Sequence, residues 1–408
     1  MENYSSYKDS GVQWLGQIPS HWSINRLASY FTERKTKVSD KDFAPLSVTK
    51  MGILPQLENV AKTDDGDNRK LVKVNDFVIN SRSDRRGSSG VSPMDGSVSL
   101  INIVLSPRPG INPSFCNYLL KSYAFIEEFY RNGHGIVADL WTTRYDEMKM
   151  IKICIPPYEE QEAIVAYLDA ATAKIDEAIA QQQRMIDLLN ERKQIIVNEM
   201  VTKGLNNEAK FKYSGFNWIG VIPSHWEVKK LKYFINPSRE KANANLPYIG
   251  LENIESHTGK FISTDSEYDI SQALLCKKGD VIFGKLRPYL AKAYLADSDY
   301  CCSSEFVVMR DAPNPEFLLY VMLSGNFVNK VDASTYGAKM PRADIDYILN
   351  LPIAVPPIEE QIAIVDKVNM QFDVIDKMIA PKQKLLDLLQ ERKQIIINDV
   401  VTGKIKVI

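Results

Sequence analysis

The strongest constraint on the fold is that the chain carries two copies of the same set of motifs. Residues 11–22, Gly-Val-Gln-Trp-Leu-Gly-Gln-Ile-Pro-Ser-His-Trp, are matched at 215–226 by Gly-Phe-Asn-Trp-Ile-Gly-Val-Ile-Pro-Ser-His-Trp. Further along, Pro-Pro-Tyr-Glu-Glu-Gln at 156–161 is matched by Pro-Pro-Ile-Glu-Glu-Gln at 356–361. The copies are 200 to 204 residues apart in a chain of 408 residues. Such a repeat predicts two related structural units, and therefore two related sites.

The bulk composition, 45% hydrophobic and 25% charged, is that of an ordinary globular protein. No apolar run approaches the ~18–20 residues of a membrane span, and the first residues do not form a signal peptide. The five cysteines are Cys116, Cys154, Cys276, Cys301 and Cys302. Their odd number argues against a disulfide framework, and without a Cys-x-x-Cys pair no zinc site is expected. A cytoplasmic location is expected, whereas the net charge of −1 does not decide whether the protein binds nucleic acid.

Each copy combines a mixed portion with a helical portion. In residues 1–157 and 205–357, short β-like runs are separated by Gly, Pro, Asn and Asp, which predicts small, mainly antiparallel sheets. In residues 158–204 and 358–408, apolar residues recur at helical spacing, which predicts two helical spacers. The predicted fold class is therefore α+β (mixed α/β), with two tandem domains and two long helices.

Local patterns place the main elements of the mixed domains. The predicted strands include Val72–Ile79, Val98–Leu105, Val281–Phe283 and Glu305–Met309. Helices are predicted at Pro113–Phe129 and Pro315–Val331. Each of these helices follows an Asn, Asn112 or Asn314, which can cap the helix while Pro takes its first position.

The two helical spacers carry matching heptad seams. The seam residues are Ile164, Leu168, Ala171, Ile175, Ala178, Met185, Leu189 and Ile196 in the first spacer, and Ile364, Val368, Ile375, Met378, Leu385, Leu389 and Ile396 in the second. A helix of this length is a rod of ~60 Å. We expect the rods to pair as a coiled coil, antiparallel if the repeats obey a pseudo-twofold relation. Pro381 is expected to kink the second helix or to divide it near Ala380.

No catalytic site can be assembled from these motifs. Pro156-Pro157-Tyr158 invites comparison with the Asn/Asp-Pro-Pro-Tyr/Phe motif of adenine methyltransferases. The residue before the prolines is Ile155, and Val355 in the second copy, and an aliphatic side chain cannot accept a hydrogen bond from the adenine amino group. The prolines and glutamates instead suit the start of a helix. We expect no catalytic residue, metal ion or cofactor in this chain.

The repeated histidines are expected to be structural. His21 and His225 stand directly before Trp22 and Trp226. An imidazole packed beside an anchoring Trp explains this position better than a metal site, because no other ligands recur at a suitable spacing.

Positively charged loops are the more promising sites. Asn-Ser-Arg-Ser-Asp-Arg-Arg-Gly-Ser-Ser-Gly at 80–90 follows one predicted strand, and Gly-Lys-Leu-Arg-Pro-Tyr at 284–289 occupies the equivalent place in the second copy. Segments 134–144 and 336–342 form a second pair of loops with equivalent positions and different sequences. Guanidinium groups on such loops suit phosphate contacts and bidentate reading of guanine, although a solvated loop remains the alternative.

A third pair of segments, 48–52 and 250–254, completes the set of candidate loops. The candidate DNA-contacting residues are Lys50, Arg82, Ser83, Arg85, Arg86, Ser88, Trp141 and Arg144 in the first domain, and Asn253, Lys285, Arg287, Tyr289, Tyr336, Lys339 and Arg342 in the second. A repeated framework with different polar loops is typical of two modules that bind different targets.

In combination, the repeated motifs resemble the DNA specificity (S) subunit of type I restriction-modification systems over essentially the whole chain. The resemblance rests on residues 11–22 and 156–161, on Leu-Leu-Asn-Glu-Arg-Lys-Gln at 188–194, and on their copies. It implies that the domains at 1–157 and 205–357 are target recognition domains that read a bipartite sequence in double-stranded DNA.

The same resemblance implies the partners. The spacers would set the distance between the domains and dock two methyltransferase (M) subunits, which bind S-adenosylmethionine. Restriction (R) subunits would add ATP- and Mg-dependent translocation and cleavage. The helix-pair and docking residues would be Ile164, Leu168, Ile175, Leu189, Ile196, Ile364, Val368, Ile375, Leu389 and Ile396.

Two other functions remain open from the sequence alone. A coiled-coil scaffold whose two domains bind proteins or small ligands would carry the same framework. A self-contained methyltransferase or nuclease would require activity from this chain alone.

Overall fold

The computed structural model describes residues 3–56, 66–135, 141–206, 208–242, 246–264, 272–337 and 340–407. The chain divides into two compact units. Unit 1 comprises Met1–Gln182 and Lys384–Ile408, and unit 2 comprises Gln183–Gln383. Each unit therefore contains one mixed domain and a part of both long helices.

Unit 1 combines short strands with three short helices and one end of each long helix. Its strands are β1 (Tyr7–Asp9), β2 (Gln17–Pro19), β3 (Ser23–Arg26), β4 (Phe31–Glu33), β5 (Lys37–Val38), β6 (Leu46–Thr49), β7 (Gly52–Pro55), β8 (Arg69–Val72), β9 (Phe77–Asn80), β10 (Ser89–Val91), β11 (Gly96–Val98), β12 (Asn102–Pro107) and β13 (Lys152–Ile155). Its helices are α1 (Pro113–Lys121), α2 (Tyr123–Arg131), α3 (Tyr145–Met148) and the first part of α4 (Tyr158–Lys203).

The sheets of unit 1 are small and antiparallel. One has the strand order β10-β9-β12-β4, and another has the order β11-β8-β5. Helices α1 and α2 bury their apolar faces, including Phe115 and Phe129, in one core with Phe77 and Leu105 of the larger sheet. Strand β13 pairs with β3 and leads directly into α4. The sheet and the start of the long helix therefore belong to one core.

Unit 2 repeats this plan. Its strands are β14 (Phe211–Tyr213), β15 (Val221–Pro223), β16 (Glu227–Lys230), β17 (Asn236–Ser238), β18 (Tyr248–Ile249), β19 (Leu274–Cys276), β20 (Val281–Gly284), β21 (Ala293–Leu295), β22 (Tyr300–Cys302), β23 (Phe306–Arg310) and β24 (Pro352–Val355). Its helices are α5 (Pro315–Leu323), α6 (Gly325–Asp332), α7 (Ile345–Asn350) and the first part of α8 (Ile358–Val401).

The larger sheet of unit 2 has the order β17-β23-β20-β21, and the smaller one has the order β18-β22-β19. The pairs are antiparallel except for the short parallel pair β18–β22. The predicted α+β class with two tandem domains, small and mainly antiparallel sheets and long helices is confirmed.

Several predicted elements were too long. The run Val72–Ile79 is two strands, because Asn75 adopts a left-handed φ of 70° in the turn between them. The run Val98–Leu105 is likewise divided by a turn that exposes Leu100 and Ile101. Each of the two helices predicted in the mixed domains is in fact two consecutive shorter helices, α1 and α2 in unit 1 and α5 and α6 in unit 2.

Capping explains where these helices begin and break. As predicted, Asn112 accepts hydrogen bonds from the amides of two residues in the first turn of α1, and Asn314 caps α5 by accepting from the amide of Phe317. Ser122 caps α2 and separates it from α1. Ser324 occupies the equivalent break between α5 and α6.

The repeated Trp and Glu residues form an anchor between each mixed domain and a long helix. In unit 1, the indole Nε1 of Trp22 donates to Glu160 at 3.1 Å, and the hydroxyl of Tyr4 donates to it at 2.5 Å. His21 Nε2 lies 2.8 Å from the same carboxylate. Because Glu160 is only 7% exposed, these partners stabilise a buried charge at the first turn of α4.

The anchor of unit 2 has the same geometry. The indole Nε1 of Trp226 donates to Glu360 at 3.0 Å, and His225 Nε2 lies 2.8 Å from the carboxylate. Gly204, just after α4, has a φ of 69° and lies against Trp226, where a Cβ would come within 2.9 Å of the ring. The repeated motifs are therefore structural, as expected for the histidines.

Within each unit, the two long-helix segments run antiparallel. In unit 1, the thiol of Cys154, before α4, lies 3.8 Å from the carbonyl of Val401 at the end of α8, and Asp176 pairs with Lys393 at 2.6 Å. Unit 2 has the equivalent interhelical ion pair, Lys193 with Asp376, at 2.5 Å. The antiparallel helix pair that the sequence predicts is therefore present in each unit.

Most seam residues are buried, but the seam drifts near the middle of each long helix. Met185, Met378 and Leu385, which were assigned to the seam, are 44%, 48% and 41% exposed. The neighbouring Ile186 and Leu386 are buried instead. A strict heptad differs slightly from the 3.6-residue helical period, so a straight extrapolation slips by one position.

Helix α8 continues through Pro381, so the expected division there does not occur. Pro381 is exposed, which lets its ring face away from the core. No helix within the described ranges is long and apolar enough to cross a membrane.

Candidate nucleic-acid interface

In unit 1, two of the predicted loops lie side by side because their backbones are hydrogen-bonded to each other. The amide of Thr143 donates to the carbonyl of Ser81 at 3.0 Å, and the amide of Ser83 donates to the carbonyl of Trp141 at 3.1 Å. Thr142, in the middle of segment 141–143, makes two reciprocal backbone hydrogen bonds of 3.0 Å with His134. The name frame 1 is used for the three joined segments, which are residues 81–83, residues 141–143 and His134, together with the loop that continues from Ser83 to Ser88.

Unit 2 contains the same arrangement, which we call frame 2. The amide of Ala343 donates to the carbonyl of Lys285 at 3.0 Å, and the amide of Arg287 donates to the carbonyl of Pro341 at 2.7 Å. Two reciprocal backbone hydrogen bonds of 3.1 and 3.2 Å join this segment to Tyr336. The two frames therefore present different side chains on equivalent backbones.

Two arginines of frame 1 point into solvent. Arg82 is exposed, and the side chain of Arg85 is 69% exposed. The guanidinium of Arg85 lies 3.7 Å from the carboxylate of Asp84, which is long for a hydrogen bond. Both side chains are therefore available for an external acceptor.

Arg86 is held against helix α2. Its guanidinium lies 5.4 Å from the centre of the Tyr130 ring and forms an ion pair with Glu127. The Tyr130 hydroxyl donates to the carbonyl of Asn80 at 3.1 Å, and burial raises the pKa of Tyr130 to about 12. Arg86 therefore attaches the loop to the domain.

Trp141 also has a structural role. Its indole Nε1 donates to the carbonyl of Tyr130 at 2.8 Å. A Cβ at Gly133 would come within 2.6 Å of this indole nitrogen, so a glycine is required there. The ring remains partly exposed beside the loop arginines.

The remaining candidates of this region differ in accessibility. Ser88 is 5% exposed, and its carbonyl accepts from the amide of Asn80 at 2.9 Å, so it closes the loop and does not present its hydroxyl to DNA. Arg144 is exposed at the start of α3.

Frame 2 presents one arginine and two tyrosines. Arg287 is exposed and has a left-handed φ of 51°, a conformation that a non-glycine residue adopts only when its surroundings hold it there. Tyr289 and Tyr336 are 46% and 63% exposed. An exposed cationic side chain and exposed aromatic rings on the same loops suit contacts with both phosphates and base faces.

Glu305 influences both of the other described cations of frame 2. Arg342 pairs with its carboxylate at 2.5 Å. Burial lowers the pKa of the half-buried Lys285, and the nearby Glu305 opposes this shift. Lys339, also a candidate, lies outside the described residues.

The third pair of candidate segments, 48–52 and 250–254, differs in structure between the two units. Lys50 is exposed in the two-residue turn of the β6–β7 hairpin. By contrast, Asn253 is 2% exposed, and its amide group bonds to the amide of Gly250 at 2.8 Å and to the hydroxyl of Thr264 at 2.7 Å. Asn253 therefore holds its own loop together, and we do not retain it as a DNA contact.

Sequence reasoning missed a depression of about 710 Å³ beside frame 1. Its lining residues are Trp14, Ser83, Arg86, Tyr123, Ala124, Glu127, Glu128, Tyr130, Arg131 and Trp141. The polar face of α2 supplies Tyr123, which is 61% exposed, and Arg131. The sequence analysis predicts a helix at Pro113–Phe129, but none of the lining residues on this helix was among the candidates.

Comparisons with known proteins agree with these observations. Residues 223–387 match the family described as the type I restriction modification DNA specificity domain. The MjaVIII type I restriction enzyme specificity subunit of Methanocaldococcus jannaschii is 28% identical over 278 residues, which are 63% of each chain. The EcoDI type I restriction enzyme specificity subunit of Escherichia coli is 24% identical over 296 residues, 66% of this chain and 65% of that subunit. The chain thus spans just under two thirds of the length of these two relatives.

A solved structure has a similar fold. It is a chain from work on complex assembly and conformational transition of the type I R-M system, with a TM-score of 0.63 and 16% identity. The match covers 95% of this chain and 99% of that chain.

Proposed function

We propose that the chain is a specificity subunit of a type I restriction enzyme, a non-catalytic subunit that reads a bipartite DNA target, because its residues 223–387 match the DNA specificity domain family. The observation that carries the proposal is the pair of frames. Equivalent backbones, each fixed by the same hydrogen bonds, present arginines in unit 1 and a mixture of Arg, Lys and Tyr in unit 2. A repeated frame with different exposed side chains suits two readers of different half-sites.

In unit 1, Arg82 and Arg85 are the proposed readers. Both are exposed, and an arginine can donate two parallel hydrogen bonds to O6 and N7 of guanine in the major groove. Lys50 and Arg144 supply further exposed positive charge for phosphates. We propose that Ser83 and Trp141, which line the depression beside frame 1, shape the surface next to these arginines.

In unit 2, Arg287 is the proposed central reader. Its left-handed backbone sets the direction in which the Cα–Cβ bond leaves the loop before DNA arrives, which lowers the backbone entropy lost on binding. Tyr289 and Tyr336 offer exposed ring faces and hydroxyls. Lys339 supplies positive charge, and so do Lys285 and Arg342, whose charge Glu305 partly offsets.

We further propose that two methyltransferase subunits dock on the long helices and that restriction subunits join the complex. The helices expose apolar side chains that a monomer has no reason to show to water. These side chains are Tyr158, Met185, Leu188 and Ile195 on α4, and Ile358, Ile362, Met370, Val374, Met378, Leu385, Leu388 and Ile395 on α8. S-adenosylmethionine would then bind in the M subunits, and ATP and Mg in the R subunits. The buried seam residues named above hold the helix pairs together.

The decisive experiment exchanges one mixed domain. Residues 1–157 are replaced by the equivalent domain of a relative with a different target, and methylated adenines are mapped across the genome of cells that express the full system. We expect one half of the methylated sequence to change and the other half to remain. The reciprocal exchange of 205–357 is the matched control and should change the other half.

If neither exchange alters the methylated sequence while the complex still assembles, the proposal is wrong. The scaffold alternative predicts that result, and the family match favours the DNA reader over it. Calorimetry with S-adenosylmethionine and the isolated chain tests the absence of catalysis, and binding would contradict it.

A further inference from the structure

Strands β3 and β13 of unit 1 place two cations directly opposite each other. The two strands are antiparallel, and their register pairs Arg26 with Lys152. Both residues are exposed, and neither side chain has an ion-pair or hydrogen-bond partner among the residues that the structure describes. Because like charges at opposite positions of a ladder repel each other, this pair costs stability unless an external anion lies beside it.

Three more cations gather around one carboxylate at helix α3. The ammonium of Lys149 donates to Asp146 at 2.5 Å. This hydrogen bond, together with the nearby positive charges of Lys35 and Arg144, lowers the pKa of the Asp146 carboxyl. The side chain of Lys35 is 76% exposed, and Arg144 is exposed as well. One carboxylate therefore faces three cations.

The other carboxylates of this surface do not restore the balance. Glu33 pairs with Lys35 at 3.2 Å, and Glu147 accepts from the backbone amide of Arg144 at 2.9 Å. Within the described part of unit 1, the five cations of this surface are therefore in contact with only three carboxylates. Such a surplus of exposed positive charge suits an anionic partner.

This surface is continuous with frame 1. Arg144 directly follows Thr143, whose amide is one of the hydrogen-bond donors of that frame. The carbonyl of Lys149 accepts from the amide of Ala28 at 3.2 Å, which holds the end of β3 beside the end of α3. The chain from residue 144 to residue 152 spans at most ~20 Å, given the rise per residue of a helix and of a strand. We call the five cations the basic strip: Arg26, Lys35, Arg144, Lys149 and Lys152.

We propose that the basic strip holds the phosphate backbone of double-stranded DNA beyond the bases that frame 1 reads, and that it does so independently of sequence. The inference rests on the proposed function, which brings DNA to frame 1. Each strand of a duplex carries a phosphate every ~3.4 Å of helix axis, so DNA on frame 1 would present several phosphates to a strip of this length. Phosphate contacts fix the position of a protein on DNA but carry no sequence information. DNA would thus supply the anion that Arg26 and Lys152 lack.

Unit 2 does not repeat the cross-strand pair of cations. Lys230 occupies the equivalent strand position, but its ladder partner is Pro352. The neighbouring Lys229 forms an ion pair with Glu227 at 2.6 Å. Lys229 and Lys230 therefore offer a matched control, with the same total charge on the equivalent strand.

The test compares two double variants of the full-length chain, each of which removes two positive charges. R26Q/K152Q changes the cross-strand pair, and K229Q/K230Q is the control. Fluorescence anisotropy measures the binding of a duplex with the mapped target, and of an unrelated duplex, at about 50 and 200 mM salt.

The salt dependence is the expected signature. Each phosphate contact contributes ~0.9 to the slope of log affinity against log salt concentration, so R26Q/K152Q should reduce the slope by about 1.8. Over this fourfold range of salt, the unaltered chain should lose about twelvefold more affinity than the variant. Both duplexes should be affected alike, which leaves the ratio of their affinities unchanged. Thermal unfolding of R26Q/K152Q should not fall, because the change removes a repulsion from an exposed ladder.

The outcomes separate this inference from the proposed function. An unchanged slope for R26Q/K152Q in a chain that binds its target overturns the inference. An equal change for K229Q/K230Q also overturns it, because the effect would then follow net charge alone. A changed affinity ratio would assign Arg26 and Lys152 to base reading and contradict a sequence-independent contact. If the unaltered chain does not prefer its mapped target to the unrelated duplex, the proposed function itself is wrong.

Discussion

Neighbouring residues of the same type have different roles in this protein, and their contacts distinguish them. Arg85 and Arg86 are adjacent, but only Arg86 is stacked on Tyr130 and paired with Glu127. Among the described residues, the acidic partner of Arg85 is Asp84 at 3.7 Å. The sequence offers both as equal candidates, because nothing in a run of charges shows which side chain the domain itself will use.

The two arginines therefore give a matched test. Arg85→Ala should weaken binding of a duplex that contains the mapped target by about 1–3 kcal/mol, because it removes the proposed base contact, and should leave thermal unfolding unchanged. Arg86→Ala should lower the stability of unit 1 by about 0.5–1 kcal/mol through the lost contact with the ring. Fluorescence anisotropy and thermal unfolding measure the two effects. Equal loss of target and non-target binding by Arg85→Ala would assign it to a phosphate instead.

The anchor carboxylates provide a second test at this scale. Glu160→Ala leaves the buried indole N–H of Trp22 without an acceptor, which should cost about 1–3 kcal/mol in the free energy of unfolding. Urea denaturation measures it. Glu159 is exposed one residue earlier, so Glu159→Ala should change stability by less than about 0.5 kcal/mol. Similar effects from both variants would show that the anchor contributes nothing specific.

At the scale of elements, the sequence predicts types better than boundaries. The caps at Asn112 and Asn314 and the long helices follow from local signals, since capping and apolar spacing act within one or two turns. The turns inside two predicted strands were missed because apolar residues such as Leu100 and Ile101 can occupy an exposed turn. Their exposure depends on the twist and pairing of distant strands, which no local window contains.

Pro381 yields a prediction about one element. Proline lacks an amide donor and is about 3 kcal/mol less favourable than alanine inside a helix. Because Pro381 is exposed, Pro381→Ala loses no buried contact and should raise the free energy of unfolding by up to about 3 kcal/mol, measured by urea denaturation. The equivalent residue of α4 is Gln181, so Gln181→Pro should destabilise the protein by a similar amount. No gain from Pro381→Ala would mean that the helix accommodates proline at this position without a net cost.

At the scale of the molecule, frame 1 and frame 2 are each built entirely from residues of one unit. The hydrogen bonds of frame 1 join residues of unit 1 alone, and those of frame 2 join residues of unit 2 alone. The candidate loops could be found from the sequence because the framework repeats and the loops do not. The sequence could not predict that these loops lie side by side, because the contact between residues 81 and 143 is a backbone hydrogen bond between residues far apart in the chain.

Independence of the frames predicts additive effects. Arg85→Ala and Arg287→Ala should each relax one half of the DNA target, and the double variant should lose the sum of the two binding free energies within about 0.5 kcal/mol. Anisotropy with duplexes altered in either half measures this. A coupling energy well above that limit would mean that one unit changes the other on binding DNA.

The composition of unit 1 has a consequence for biosynthesis. Its core contains Ile396, Val400 and Val401 from the end of α8, and Gly403 lies against Trp22 with a φ of 76°. A ribosome finishes the whole of unit 2 before it delivers Lys384–Ile408. The unit that contains the N-terminus therefore completes its core last, and a premature stop near residue 384 would damage unit 1 while sparing unit 2.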